Sequence, residues 1–173
     1  MSKRFLLFAA FVLACTSVAG QNIRGHYVSK ADADGTIYHT LPVTLFENRR
    51  EGDLTFDLTY KEGQQGRVTL NFTYRASQPV QADSVRFVAG EAVLAGPVAK
   101  FYIEPEKKLW KHRYSLQTDA ALVRVFFDEE TEPQAVVYSG GRPLVYDVKR
   151  SAWHSYAPVG RKIFEMIRLN EGR

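Results

Sequence analysis

The chain has 173 residues, of which 45% are hydrophobic, 24% charged and 13% aromatic, the make-up of a single folded domain rather than a disordered tail. That length excludes a large multi-domain enzyme, and a lone cysteine, Cys15, excludes an internal disulfide framework and a four-ligand zinc-thiolate site. The formal charge of +4 is partly a feature of the amino terminus, because Lys3 and Arg4 fall within residues 1–20 and the remainder carries only +2. So small an excess argues against nucleic-acid binding.

Residues 1–20 read as a cleavable export signal. Lys3 and Arg4 precede ten unbroken apolar residues, Phe5 to Ala14, too few to span a bilayer, and Val18-Ala19-Gly20 supplies a cleavage site before Gln21. The arrangement looks like that of an exported bacterial protein, periplasmic, outer-membrane associated or extracellular. A second route uses Val12-Leu13-Ala14-Cys15 as a loose lipobox, and the membrane is a partner only if Cys15 is lipidated. Residues 21–173 are then one β-rich domain ending in a helix.

Along that domain the pattern is alternation with period two, the mark of strands with one face in a core. Strands are expected near 25–30, 36–47, 53–60, 67–75, 84–89, 98–104, 109–117, 121–128, 134–139 and 143–148. The cleanest pair places Leu54, Phe56, Leu58 and Tyr60 on one face of the first strand and Val68, Leu70, Phe72 and Tyr74 on one face of the second. The glycine-bearing segment 61–66 joins them as an antiparallel hairpin. Pro42 marks an edge or bulge within its strand. From Pro158, apolar Val159, Ile163, Met166 and Ile167 recur at helical spacing, so a short helix is expected over about 158–169. The fold class is therefore all-β: an antiparallel sandwich or small barrel of about 9–11 short strands with one short carboxyl-terminal helix as a lid or plug.

Chemical motifs are sparse. Phosphate-binding glycine loops and a nucleophile elbow are absent from the sequence, and the acidic run Asp128, Glu129, Glu130 and Glu132 reads as a solvated turn. His26 and His39 flank the first turn and would stand opposite each other if Lys30 paired with Gly35. A cross-strand polar pair is the plainer reading than a metal site, which would need a third donor. Asp32-Ala33-Asp34-Gly35 lacks the remaining ligands of a calcium loop and reads as a turn.

Lys107, Lys108, Lys111 and Arg113 form the candidate binding surface. Alternation separates Lys111 and Arg113 from Trp110, His112 and Tyr114, so charge and aromatic surface lie on opposite faces, which disfavours single-strand nucleic-acid binding and suits an anionic glycan or lipid headgroup. Tyr38, Tyr102, Tyr138 and Tyr146 add aromatic surface in strands. No cofactor is implied. The expected function is a non-enzymatic binding or accessory module for an unknown envelope protein or glycan. The alternative is a lipocalin-like carrier holding an apolar molecule inside a barrel, and the volume of that interior separates the two.

Overall fold

The computed structural model describes residues 23–64 and 66–171; residues 1–20, read above as an export signal, with Cys15, and also Gln21 and Gly172 lie outside the described residues. The elements follow as β1 (Tyr27–Asp32), β2 (Gly35–Thr40), β3 (Val43–Asn48), β4 (Gly52–Lys61), β5 (Arg67–Ala76), β6 (Ala82–Ala89), β7 (Ala92–Pro97), β8 (Ala99–Glu106), β9 (Leu109–Asp119), α1 (Ala120–Asp128), β10 (Gln134–Ser139), β11 (Arg142–Val148) and α2 (Arg150–Glu171). All strands belong to one antiparallel sheet in the order β7-β6-β10-β11-β3-β4-β5-β9-β8, with β2 also on β4 and β1 on β2.

The sheet curls into a nearly closed barrel. Its two ends meet because β7 passes directly into β8, and both run along β9. β8 is hydrogen-bonded beside residues 109–115 of β9, whereas Gly96 of β7 lies against Gln117 and Leu116. β2 and β3 share the edge of β4 in the same way, β2 beside residues 59–61 and β3 beside residues 52–56. Pro42 explains that break, since it has no N–H to give a ladder and falls between the two strands.

The β4–β5 hairpin has the register its alternation requires, with Phe56 opposite Phe72 and Asp57 opposite Asn71. Leu54, Phe56, Leu58, Tyr60, Val68, Leu70, Phe72 and Tyr74 are all buried. They meet Phe46, Phe87, Tyr114 and Tyr146 from the other strands, so aromatic rings fill the barrel along its length. Ring pairs such as Phe46–Phe87 at 5.8 Å and Phe72–Tyr114 at 5.9 Å are at ordinary aromatic packing distance.

Residues 120–128 are helical, not extended as the sequence pattern suggests. Asp119 caps α1 by accepting a 2.7 Å hydrogen bond from the Ala121 N–H. Val123, Phe126 and Phe127 then fall on one buried face at i, i+3 and i+4. The mixture of β-branched and aromatic residues imitates a strand, and the cap decides against it. The carboxyl-terminal helix is also longer than expected, 22 residues instead of about a dozen, and Pro158 lies inside it. Trp153, Tyr156, Ala157, Ile163, Phe164 and Ile167 form its buried stripe. The one helical hydrogen bond lost at Pro158 is outweighed by that continuous apolar face. β7 is a further departure: Ala95-Gly96-Pro97 ends a strand paired with β6 rather than forming a turn.

Both helices close the barrel end that carries the β4–β5 turn, where the Ala120 N–H donates to the Gly66 carbonyl at 2.7 Å. They cross at Gly160, where an added Cβ would lie 2.9 Å from three ring atoms of Phe127. Phe127 cannot yield, because it is stacked on Trp153 and packed against Phe56 and Tyr156. Glycine to alanine in a helix interior ordinarily gains about 0.5–1 kcal/mol. Here overpacking of about 1–3 kcal/mol reverses the sign, and urea melts of Gly160→Ala should show a net loss of stability.

Candidate functional site

Apart from the helix-covered end, two features concentrate polar chemistry: the outer face of β4, β5, β9 and β8, and the open barrel end. The outer face follows from the alternation that fills the core, because every second residue of these strands must point outward. Registers align them in rows. Thr44, Thr55, Thr73, Arg113 and Tyr102 form one, Asp57, Asn71 and Ser115 a second, and His39, Thr59, Thr69 and Gln117 a third.

These side chains are linked across the strands. Arg113 Nη2 lies 2.6 Å from Asp57 Oδ1, and its Nη1 donates to Thr73 Oγ1 at 2.9 Å. Asn71 Nδ2 donates to Asp57 Oδ2 at 2.9 Å and reaches Thr59 Oγ1 at 3.3 Å. Gln117 Nε2 donates to Thr69 Oγ1 at 2.7 Å, and the Thr44 and Thr55 hydroxyls are 2.8 Å apart. Asp57, at 7% exposure, is the carboxylate on which the network centres. The result is a preorganised hydrogen-bonded layer on the outside of the curved sheet, in which Asp57, Asn71 and Thr73 are themselves buried, Thr55, Thr59, Thr69 and Arg113 are half-buried and Gln117 is exposed. Tyr102, 37% exposed, stands at its edge with the Lys111 ammonium 5.4 Å from its ring centroid.

The four basic residues singled out in the sequence divide into two pairs. Lys111 and Arg113 project on the face opposite His112 and Tyr114, as alternation requires, but both are neutralised: Lys111 by Glu104 at 3.2 Å and Arg113 by Asp57. Arg75 is likewise held by Glu106 at 2.5 Å, a hydrogen bond that lowers the carboxyl's pKa and raises that of the guanidinium. Lys107 and Lys108 sit apart on the β8–β9 turn, Lys107 with φ +58°, beside a shallow 370 Å³ depression shared with Arg75, Glu106 and Leu109. Lys107 and Lys108 make no ion pair among the described residues, and neither do Arg67 on β5 and Lys100 on β8, so the unpaired cations lie at the turn tip and at the margins of the face rather than at Lys111 and Arg113.

His26 and His39 do not face each other. The β1–β2 ladder is shifted by two residues from the expected register, with Asp32 opposite Gly35 and Val28 opposite His39. The tighter two-residue turn at Ala33-Asp34 accounts for the shift. His39 bonds Thr59 Oγ1 at 3.0 Å, while His26 precedes the strand and meets the Tyr156 ring edge-on. Among the described residues no group of three His, Cys, Asp or Glu side chains is placed to hold a metal ion. The acidic turn at 32–34 is tied to Lys61, 3.0 Å from Asp32 and 3.7 Å from Asp34.

At the open end, the β3–β4 and β10–β11 turns and the segment 77–81 surround a half-open cavity of about 200 Å³ lined by Glu51, Tyr74, Ala76, Val80, Arg142 and Leu144, among others. Behind it His112 is fully buried and stacks on Tyr74 at 4.5 Å. His112 Nε2 lies 3.1 Å from the Gln78 carbonyl, which can only accept, so Nε2 carries the proton and Nδ1 is a bare acceptor. Desolvation lowers the His112 pKa. The unfolded chain therefore takes up a proton near pH 6.5 that the fold refuses, so stability should fall as the pH drops below about 6.5 and level off below the folded pKa. Urea melts between pH 8 and 4.5 check this, and His112→Phe should flatten that slope.

Neither the Asp57–Asn71–Arg113 network nor the Tyr74 cavity is singled out by motif reading. The hairpin register alone pairs Thr55 with Thr73, Asp57 with Asn71 and Thr59 with Thr69, so the polar rows carried a usable signal. In comparisons with known proteins, no family model matches the chain, and no curated protein or solved structure is significantly similar to it.

Proposed function

We propose that the protein is an exported envelope or secreted binding module, without catalytic function, that engages a glycan-bearing partner through the outer face of β4, β5, β9 and β8. The observation that carries this reading is the hydrogen-bonded outer layer in which buried Asp57, Asn71 and Thr73 fix half-buried Arg113, with exposed Gln117 and the exposed Tyr102 ring beside it. The accessible amide of Gln117, the guanidinium edge of Arg113 and the threonine hydroxyls of the layer suit the hydroxyls of a sugar. An aromatic ring beside them covers the apolar face of a pyranose, and preorganisation lowers the entropic cost of binding. Because Lys111 and Arg113 are already ion-paired, the favoured partner is an uncharged glycan rather than an anionic one. Export rests on the basic and apolar character of residues 1–20.

The carrier reading has less support. Phe46, Phe56, Phe72 and Phe87 occupy the barrel centre, where an enclosed ligand would have to sit.

Binding of the protein to an array of neutral and acidic oligosaccharides tests the proposal. Tyr102→Ala should weaken binding at least tenfold with little change in melting temperature, and affinity should vary little between 50 and 500 mM salt. Retention only of acidic glycans, lost at high salt, would sink the neutral-glycan reading.

A further inference from the structure

The cavity at the open barrel end is separate from the outer face and shares none of its residues. Tyr74 lines it, is fully buried, and its hydroxyl has no hydrogen-bond partner among the described residues. An orphaned buried hydroxyl is costly, and a phenylalanine would fill the same space without that cost. The ring is also fixed in place, stacked on His112 at 4.5 Å and packed against Tyr114 at 6.1 Å, so the hydroxyl is held at a defined point. Nearby Tyr146 shows the ordinary solution, with its hydroxyl donating to the Arg75 carbonyl at 2.6 Å.

The walls define what would satisfy Tyr74. Ala76, Val80 and Leu144 are apolar. Of the two charged residues that line the cavity, Glu51 is engaged by the backbone N–H and the hydroxyl of Ser77. Arg142 makes no ion pair among the described residues. The side chains left without a hydrogen bond or ion pair among the described residues are thus the Tyr74 phenol, the Arg142 guanidinium and the Gln78 amide, and the first two present donors beside the apolar walls. About 200 Å³ exceeds the roughly 150 Å³ that admits benzene, leaving room for one ring and a small polar group.

We infer that this cavity binds a small apolar monocarboxylate, of the size of a single aromatic ring, with its carboxylate taken by the Tyr74 hydroxyl and the Arg142 guanidinium. Tyr74 gives direction at short range and Arg142 supplies the charge. This inference is independent of the glycan reading, which concerns other residues on another surface.

Amide chemical-shift titration of the 15N-labelled protein with benzoate, and with benzamide as the uncharged comparator, tests it. Benzoate should shift the amides of Ser77, Gln78 and Ser139 saturably, and benzamide should bind at least threefold more weakly. Tyr74→Phe should weaken benzoate at least fivefold while keeping or raising the melting temperature, the signature of a group retained for binding and not for folding. Arg142→Gln, at an exposed position, should weaken benzoate without touching the melt. Absence of saturable shifts, equal binding of benzamide, or unchanged benzoate affinity in either variant would overturn the assignment.

Discussion

Phe127→Ala should lower stability by about 3–5 kcal/mol, the range for removing a large buried aromatic side chain. Phe127 is 1% exposed, stacks on Trp153 at 5.6 Å and packs against Phe56, Phe126, Tyr156 and Phe164. It is therefore the ring through which α1, α2 and the barrel core meet. Its neighbours belong to three separate elements held by their own backbone, so they cannot collapse into the space it leaves. Chemical denaturation measures the loss, and Leu122→Ala, on the exposed side of the same helix, should fall within about 0.5 kcal/mol of the parent. Equal effects at the two positions would mean that α1 does not pack as described.

Deletion of residues 150–173 should do more and leave no stable domain. Trp153, Tyr156, Ile163, Phe164 and Ile167 are each at most 5% exposed, and each contributes about 1.5–3 kcal/mol by burial. Together that is comparable with the whole stability of about 5–15 kcal/mol expected of a small domain. The truncated chain would also leave Phe126 and Phe127 facing water and should aggregate. Circular dichroism melts and size exclusion read the outcome. A truncated protein that stays monomeric with an unchanged melt would instead make α2 a lid. Ile163→Glu is the milder form of the test and should destabilise strongly, because no cation is paired to that site in the core.

The β4–β5 hairpin was legible because two ten-residue runs alternate without interruption, and period two has one structural meaning when one face is uniformly apolar. The separation of Lys111 and Arg113 from His112 and Tyr114 followed from the same rule. Elsewhere the pattern misled for identifiable reasons. Residues 120–128 hold apolar side chains on all sides, Leu122 and Val125 remaining exposed, so their period was ambiguous and only Asp119 as a cap distinguished helix from strand. Pro158 read as a helix start because proline suits the first turn, whereas Trp153, Tyr156 and Ala157 continue the same apolar stripe upstream. A barrel was one of two architectures the strand count allowed, but which strands close it was not legible, since the approach of β7 to β9 joins residues about twenty positions apart with no local signature.

The candidate site was only half legible, and for the same physical reason. Basic residues are conspicuous in a sequence, but whether a charge is free depends on its cross-strand neighbour. Glu104 and Asp57 neutralise Lys111 and Arg113 through pairings that require the β8–β9 and β4–β5–β9 registers. Register also brings Asp57 beside Asn71 and turns ordinary outward-facing threonines into a connected layer. The orphaned Tyr74 hydroxyl needs three dimensions to be seen, because in sequence Tyr74 is one more core position of a strand.

The most direct measurement of the central claim is amide chemical-shift mapping of the 15N-labelled protein with neutral oligosaccharides. The account predicts saturable shifts concentrated on Thr55, Asn71, Thr73, Tyr102, Arg113 and Gln117, with the helices α1 and α2 unaffected. Shifts confined to the helical end, or none up to millimolar glycan, would contradict it.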